Sequence, residues 1–238
     1  MKPVVLIAFN FLREQRWPVI VLMVWVLASS AATGFGTEKL AADDAIFFLK
    51  TQAIYGIAFI AFLSASAIYN ERKSRRILAV LSKGISRSAY IFGLLLGVLI
   101  AGAAYCLAMG AMGTLMFRDI GAPQSELWLM ILVLMASFVV TSTVAMFFST
   151  FLTPLFSTIA TAFALGTPAL AAHMAGGIWA RILPVYYLLD TILKFSVNAS
   201  TSWKTVGEGV LWALVDSTIL WLIASWLFSY RDIAVPVE

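Results

Sequence analysis

Residues 127–149 run for 23 positions without a charged side chain. A helix needs about 20 apolar residues to cross the hydrocarbon core of a bilayer, so this run alone excludes most soluble folds. Five more long apolar runs lie at 17–36, 46–69, 89–117, 154–173 and 209–229. The six predict an all-α, polytopic integral membrane protein, organised as one transmembrane domain over residues 1–238. Composition agrees: 62% of the residues are hydrophobic and only 12% are charged. A soluble domain carries roughly 25% charged residues, so lipid is the expected solvent for the surplus apolar surface. Met1 opens the chain, and no cleaved signal peptide is expected.

Charge sets the topology. Placing both termini on the cytoplasmic side puts Lys2, Arg13, Arg16, the six basic residues of 70–88, and Arg231 inside. Lys39, Lys50, Arg118, Arg181, Lys194 and Lys204 then lie outside, beside Glu38, Asp43, Asp44, Asp119, Glu126, Asp190 and Glu208. The excess of Lys and Arg inside obeys the positive-inside rule and predicts an N-in, C-in chain with six spans. The net charge of +4 has the same origin, and nucleic acid is not an expected partner. Before the first span, 2–16 is too short to cross. Its Asn10, Arg13 and Glu14 share a polar face, which predicts an amphipathic helix on the inner leaflet, in contact with membrane lipids. The segment 174–208 is apolar but broken by Gly176-Gly177 and Pro184, and its Trp179, Tyr186 and Tyr187 suit a headgroup belt. It predicts an outer re-entrant or surface segment rather than a seventh span.

Catalytic chemistry has little to stand on. Cys106 is the single cysteine and His173 the single histidine, so neither a disulfide nor a histidine-built metal site is expected. No phosphate-binding Gly-x-x-x-x-Gly-Lys-Ser/Thr, no His-Glu-x-x-His and no Gly-x-Ser-x-Gly occurs. The chain is not expected to be an enzyme or to bind a cofactor or metal itself. Asp216 is the one clear carboxylate inside a span, about seven residues from its expected start, or roughly 10 Å by helical rise. A charge at that depth is costly and faces the bundle or water. It serves as a substrate or proton site, or as an interhelical partner of a residue such as Arg181. Gly93, Gly97 and Ala101 form a small-residue face at spacing four, suited either to an intramolecular helix contact or to a dimer seam.

The basic island at 70–88 has one further property. Ile77, Leu78, Leu81 and Ile85 recur at helical spacing and give it a docking face. Glu71-Arg72, the Leu-bearing helix with Leu78 and Leu81, the Ile85-Ser86-Arg87 turn and the span opening at Gly93 together resemble the signature region of type-2 family ATP-binding-cassette (ABC) exporter permeases. Tyr230-Arg231-Asp232 resembles the cytoplasmic end of that family's last span. The sequence departs at Gly84, where the family has Pro, at Leu94, where it has Lys, and at Lys73-Ser74-Arg75-Arg76, where it commonly has Gly-Thr.

The resemblance implies a permease subunit in the bacterial inner membrane that exports a lipid, glycolipid, polysaccharide or drug. It would pair with a second permease chain, identical or homologous. ATP and Mg would be handled by a separate nucleotide-binding ATPase subunit. It also implies a cytoplasmic coupling helix within 70–88. Glu71, Arg72, Arg75, Arg76, Ile77, Leu78, Leu81 and Arg87 would then dock the ATPase, with Glu71 pairing to Arg13 or Arg16. The competing readings are an ion-coupled secondary transporter using Asp216 and a membrane scaffold that anchors a soluble partner.

Overall fold

The computed structural model describes residues 2–36, 41–73, 84–175, 185–196 and 203–230. The described residues form eight helices. They are α1 (Lys2–Glu14), α2 (Arg16–Gly36), α3 (Ala42–Lys73), α4 (Arg87–Asp119), α5 (Gln124–Ser149), α6 (Pro154–Ala175), α7 (Val185–Lys194) and α8 (Trp203–Tyr230). Four are long and apolar enough to cross a membrane, at Ala42–Glu71, Arg87–Asp119, Gln124–Ser149 and Val206–Phe228.

The helices outrun the apolar runs that announce them. α3 begins at Ala42 instead of 46, with Asp43 and Asp44 in its first turn, where acidic side chains favour the positive end of the helix dipole. α8 begins at Trp203, six residues before the expected 209. α6 starts on Pro154, whose missing N–H costs nothing in a first turn, and runs to Ala175. Among 174–208, the described residues after α6 are α7 with its tail and the first six residues of α8. At ten residues α7 is too short to span. Its Leu188 and Ile192 are buried, as is the following Phe195, which stacks on Phe117 at 6.3 Å. α7 therefore packs on the bundle end where α4 finishes.

α5 is the hub. It packs on α3, α4, α6, α7 and α8. Inside the protein lies 83% of its most apolar stretch, against 22% for α8, so α8 is the outermost of the four. Close approach is set by small residues: a side chain on Gly56 would meet Tyr105 at 2.6 Å and Phe138 at 2.9 Å, which joins α3, α4 and α5. Tyr105 donates its hydroxyl proton to the Gln52 carbonyl at 2.6 Å, and Gln52 reaches Ser29 of α2 at 2.9 Å. Gly110 and Gly113 hold the other end of α4 against Trp128 and Leu127 of α5.

Candidate functional site

The candidate site is the end of the bundle where α3 stops and α4 starts. α3 runs straight through Glu71 to Lys73, and α4 takes up again at Arg87. Residues 70–73 are thus the last turn of α3 and not part of a separate helix. The expected docking residues Arg75, Arg76, Ile77, Leu78 and Leu81 lie outside the described residues, as does the side chain of Arg72.

Glu71 is buried, 5% exposed, at the foot of α3. Tyr90 of α4 donates its phenolic proton to Glu71 Oε2 at 2.5 Å. Tyr90 is itself 1% exposed. The sequence does not announce this contact. A charge-assisted hydrogen bond of this length is among the stronger polar contacts available to a buried carboxylate.

The turn into α4 is built locally. Ser86 caps the helix, accepting from the Ala89 N–H at 3.3 Å with an extended backbone. Gly84 has φ +76°, a left-handed value that the proline ring cannot reach. Gly in place of Pro therefore follows from the backbone. Leu94, where the resemblance would place Lys, is fully buried, and an ammonium there would need a buried partner. Arg87 points its guanidinium at the Phe228 carbonyl, at 3.0 Å, and so ties the start of α4 to the last turn of α8. A cation at a helix C-terminus satisfies a carbonyl left unpaired by the helix itself. In this geometry Arg87 braces the chain internally.

The small-residue face has one described occupant. A Cβ on Gly93 would lie 2.8 Å from Ile7, and one on Gly97 would lie 2.7 Å from Phe11 and 3.0 Å from the Ala8 carbonyl. α1 is seated in that groove, with Ala8 and Phe11 buried. Of the two sequence alternatives, the intramolecular contact is the one formed at Gly93 and Gly97; Ala101 is 3% exposed. The other side of α1 faces away from that groove. Leu6 and Phe9 are exposed, and Asn10 bonds Glu14 at 3.1 Å. Three helices and the ends of the basic island thus converge on one corner: α1, α3 and α4, with α8 held to it through Arg87.

Asp216 lies elsewhere, and deeper than expected. The early start of α8 places it near the middle of the span Val206–Phe228. Its Oδ2 is buried with no hydrogen-bond partner. Arg181, its expected companion, lies outside the described residues. The hydroxyls of Thr141–Thr143 that have described bonds turn back to their own helix: Ser142 and Thr143 reach the Val139 carbonyl at 2.9 and 3.1 Å. Among the described residues no group of three His, Cys, Asp or Glu side chains is placed to hold a metal ion. No protein-family model matches this chain, and no curated protein matches it significantly.

Proposed function

We propose that this chain is the transmembrane permease subunit of an ABC exporter of the type-2 family, with six spans, both termini inside, and a paired second permease chain. A separate ATPase subunit hydrolyses ATP with Mg, and the cargo is amphipathic or hydrophobic. The observation that carries the reading is the Glu71–Tyr90 bond. It clamps the two spans that flank the basic island, and both continue as helix to the island's edges. A push on residues 74–83 would therefore reach α3 and α4 together, and α1 through its seat on Gly93 and Gly97. Ile77, Leu78 and Leu81 supply the spaced apolar anchors that helix-in-groove docking requires.

Affinity purification of the full chain from its native membrane tests the reading. An ATPase subunit is expected to copurify, and ATP hydrolysis by the pair is expected to drive transport in proteoliposomes. Transport by the chain alone on an ion gradient would overturn it. That outcome would favour an ion-coupled transporter, the reading to which the unpartnered carboxylate of Asp216 in mid-span belongs.

A further inference from the structure

Seven buried side-chain polar atoms of the described residues have no hydrogen-bond partner in the protein, and four of them lie within ten residues of α8. They are Asp216 Oδ2, Ser217 Oγ, Trp221 Nε1 and Ser225 Oγ. The other three, on Gln52, Glu126 and Ser149, are scattered. Ser217, Trp221 and Ser225 are spaced four apart and form one ridge of the helix. From Asp216 to Ser225 the helix rises roughly 13 Å, about half the thickness of a bilayer core.

The two serines depart from how other hydroxyls in these helices behave. Ser64, Ser137, Thr161 and Thr218 each donate to a carbonyl four residues back, at 2.7–2.9 Å. That back-bond satisfies a hydroxyl in lipid without help. Ser217 and Ser225 are 5% and 8% exposed and do not make it. Lipid tails offer no hydrogen bonds, and each unmet polar group in hydrocarbon costs several kcal/mol.

The chemistry of the four atoms narrows what can answer them. The indole N–H needs an acceptor, the carboxylate oxygen needs a donor, and the hydroxyls take either. A carbonyl would fail the carboxylate and an ammonium would fail the indole. An oxygen that both donates and accepts serves all four, and water has that property. One residue of the ridge, Trp221, is placed against α4. The Trp221 ring meets Phe92 of α4 edge-on at 5.6 Å, and Arg87 binds the Phe228 carbonyl below it.

We propose that this polar ridge of α8 lines a membrane-embedded water cleft, which lets solvent reach Asp216 from the Tyr230 end of α8. The proposal rests on α8 crossing the membrane and is independent of the cargo and of any ATPase. The full chain in lipid nanodiscs, with Cys106→Ala as background, tests it. Ser217→Cys and Ser225→Cys are expected to react with a charged, membrane-impermeant methanethiosulfonate about tenfold or more faster than Ile219→Cys and Leu222→Cys, because only a wetted thiol ionises. Ile219 and Leu222 are 49% and 54% exposed on the surface of α8 and would face lipid. The unmutated chain supplies a second reading through hydroxyl-radical footprinting. Trp221 is expected to oxidise faster than Trp226, although Trp226 is 59% exposed on the outer surface. Slow reaction at Ser217→Cys would mean that water stops short of Asp216 and would overturn the proposal. Oxidation of Trp221 no faster than that of Trp226 would overturn it as well.

Discussion

Tyr90 and Glu71 sit 19 residues apart in sequence and meet at 2.5 Å across the foot of α3 and α4. All the residues between them except Ala89 belong to the basic island, so this bond closes the loop that carries it. Tyr90→Phe removes the donor and leaves a carboxylate buried at 5% exposure without it. The expected cost is about 2 kcal/mol of stability, the range for losing a hydrogen bond to a charged group. Thermal unfolding of the purified chain measures it. Glu71→Gln keeps an acceptor for the phenol and is expected to lose less than Tyr90→Phe; an equal or larger loss would show that the charge matters more than the bond.

The seat of α1 gives a second test. Gly97→Leu places a side chain where Phe11 and the Ala8 backbone already stand, at 2.7 and 3.0 Å from the first added carbon. Backbone at that distance cannot swing aside, so α1 must lift from α4. Limited proteolysis is expected to cut the α1–α2 junction near Gln15 faster in this variant, with a stability loss of about 1–3 kcal/mol from overpacking. Gly166→Leu is the control: a side chain there meets nothing within 4 Å, and its proteolysis is expected to match the parent chain.

How far the sequence could be read differs by feature. Four apolar spans were legible because lipid imposes length and apolarity on each helix separately, as in 127–149. Their ends were less so: Asp43, Asp44 and Lys204 look like loop, yet helices carry polar residues into the interface. The spacing of Gly93 and Gly97 announced a close contact, but the choice of α1 as occupant depends on how the chain bends at Gln15, which no spacing records. Tyr90 gave one weak signal, a phenol three residues before the Gly93 that opens the small-residue face. The orphaned atoms on α8 could not be foreseen, because serines in spans usually bond their own helix, and only coordinates show that Ser217 and Ser225 do not.

Gly84 is expected to reject the proline that the resemblance would place there. Its φ of +76° lies far from the value that proline fixes near −65°, so Gly84→Pro must rebuild the turn before the Ser86 cap. A strained or rebuilt turn of this kind costs about 1–3 kcal/mol. Gly84→Asn, which tolerates left-handed backbone, is expected to stay close to the parent chain, since nothing lies within 4 Å of an added Cβ. Comparing the two melting temperatures separates conformation from space: if Gly84→Asn falls as far as Gly84→Pro, the left-handed turn is not what the glycine provides.

The proposed docking face is tested at Leu78 and Leu81. A carboxylate at either position would have to be desolvated inside an apolar groove of the partner, at a cost of several kcal/mol that a helix-in-groove contact cannot absorb. Leu78→Asp with Leu81→Asp is therefore expected to abolish copurification of the ATPase subunit. The chain itself is still expected to fold, because Glu71–Tyr90 and the α1 seat hold its corner. Melting temperature verifies folding, and a pull-down reads the association. Arg87→Lys keeps the charge but loses the planar reach to the Phe228 carbonyl. Because Arg87 braces α4 against α8, that variant is expected to lower stability while leaving ATPase association intact. If Arg87→Lys releases the ATPase at unchanged stability, Arg87 belongs to the docking face after all. If the paired Leu variants still hold the ATPase, the apolar anchors of the island lie elsewhere.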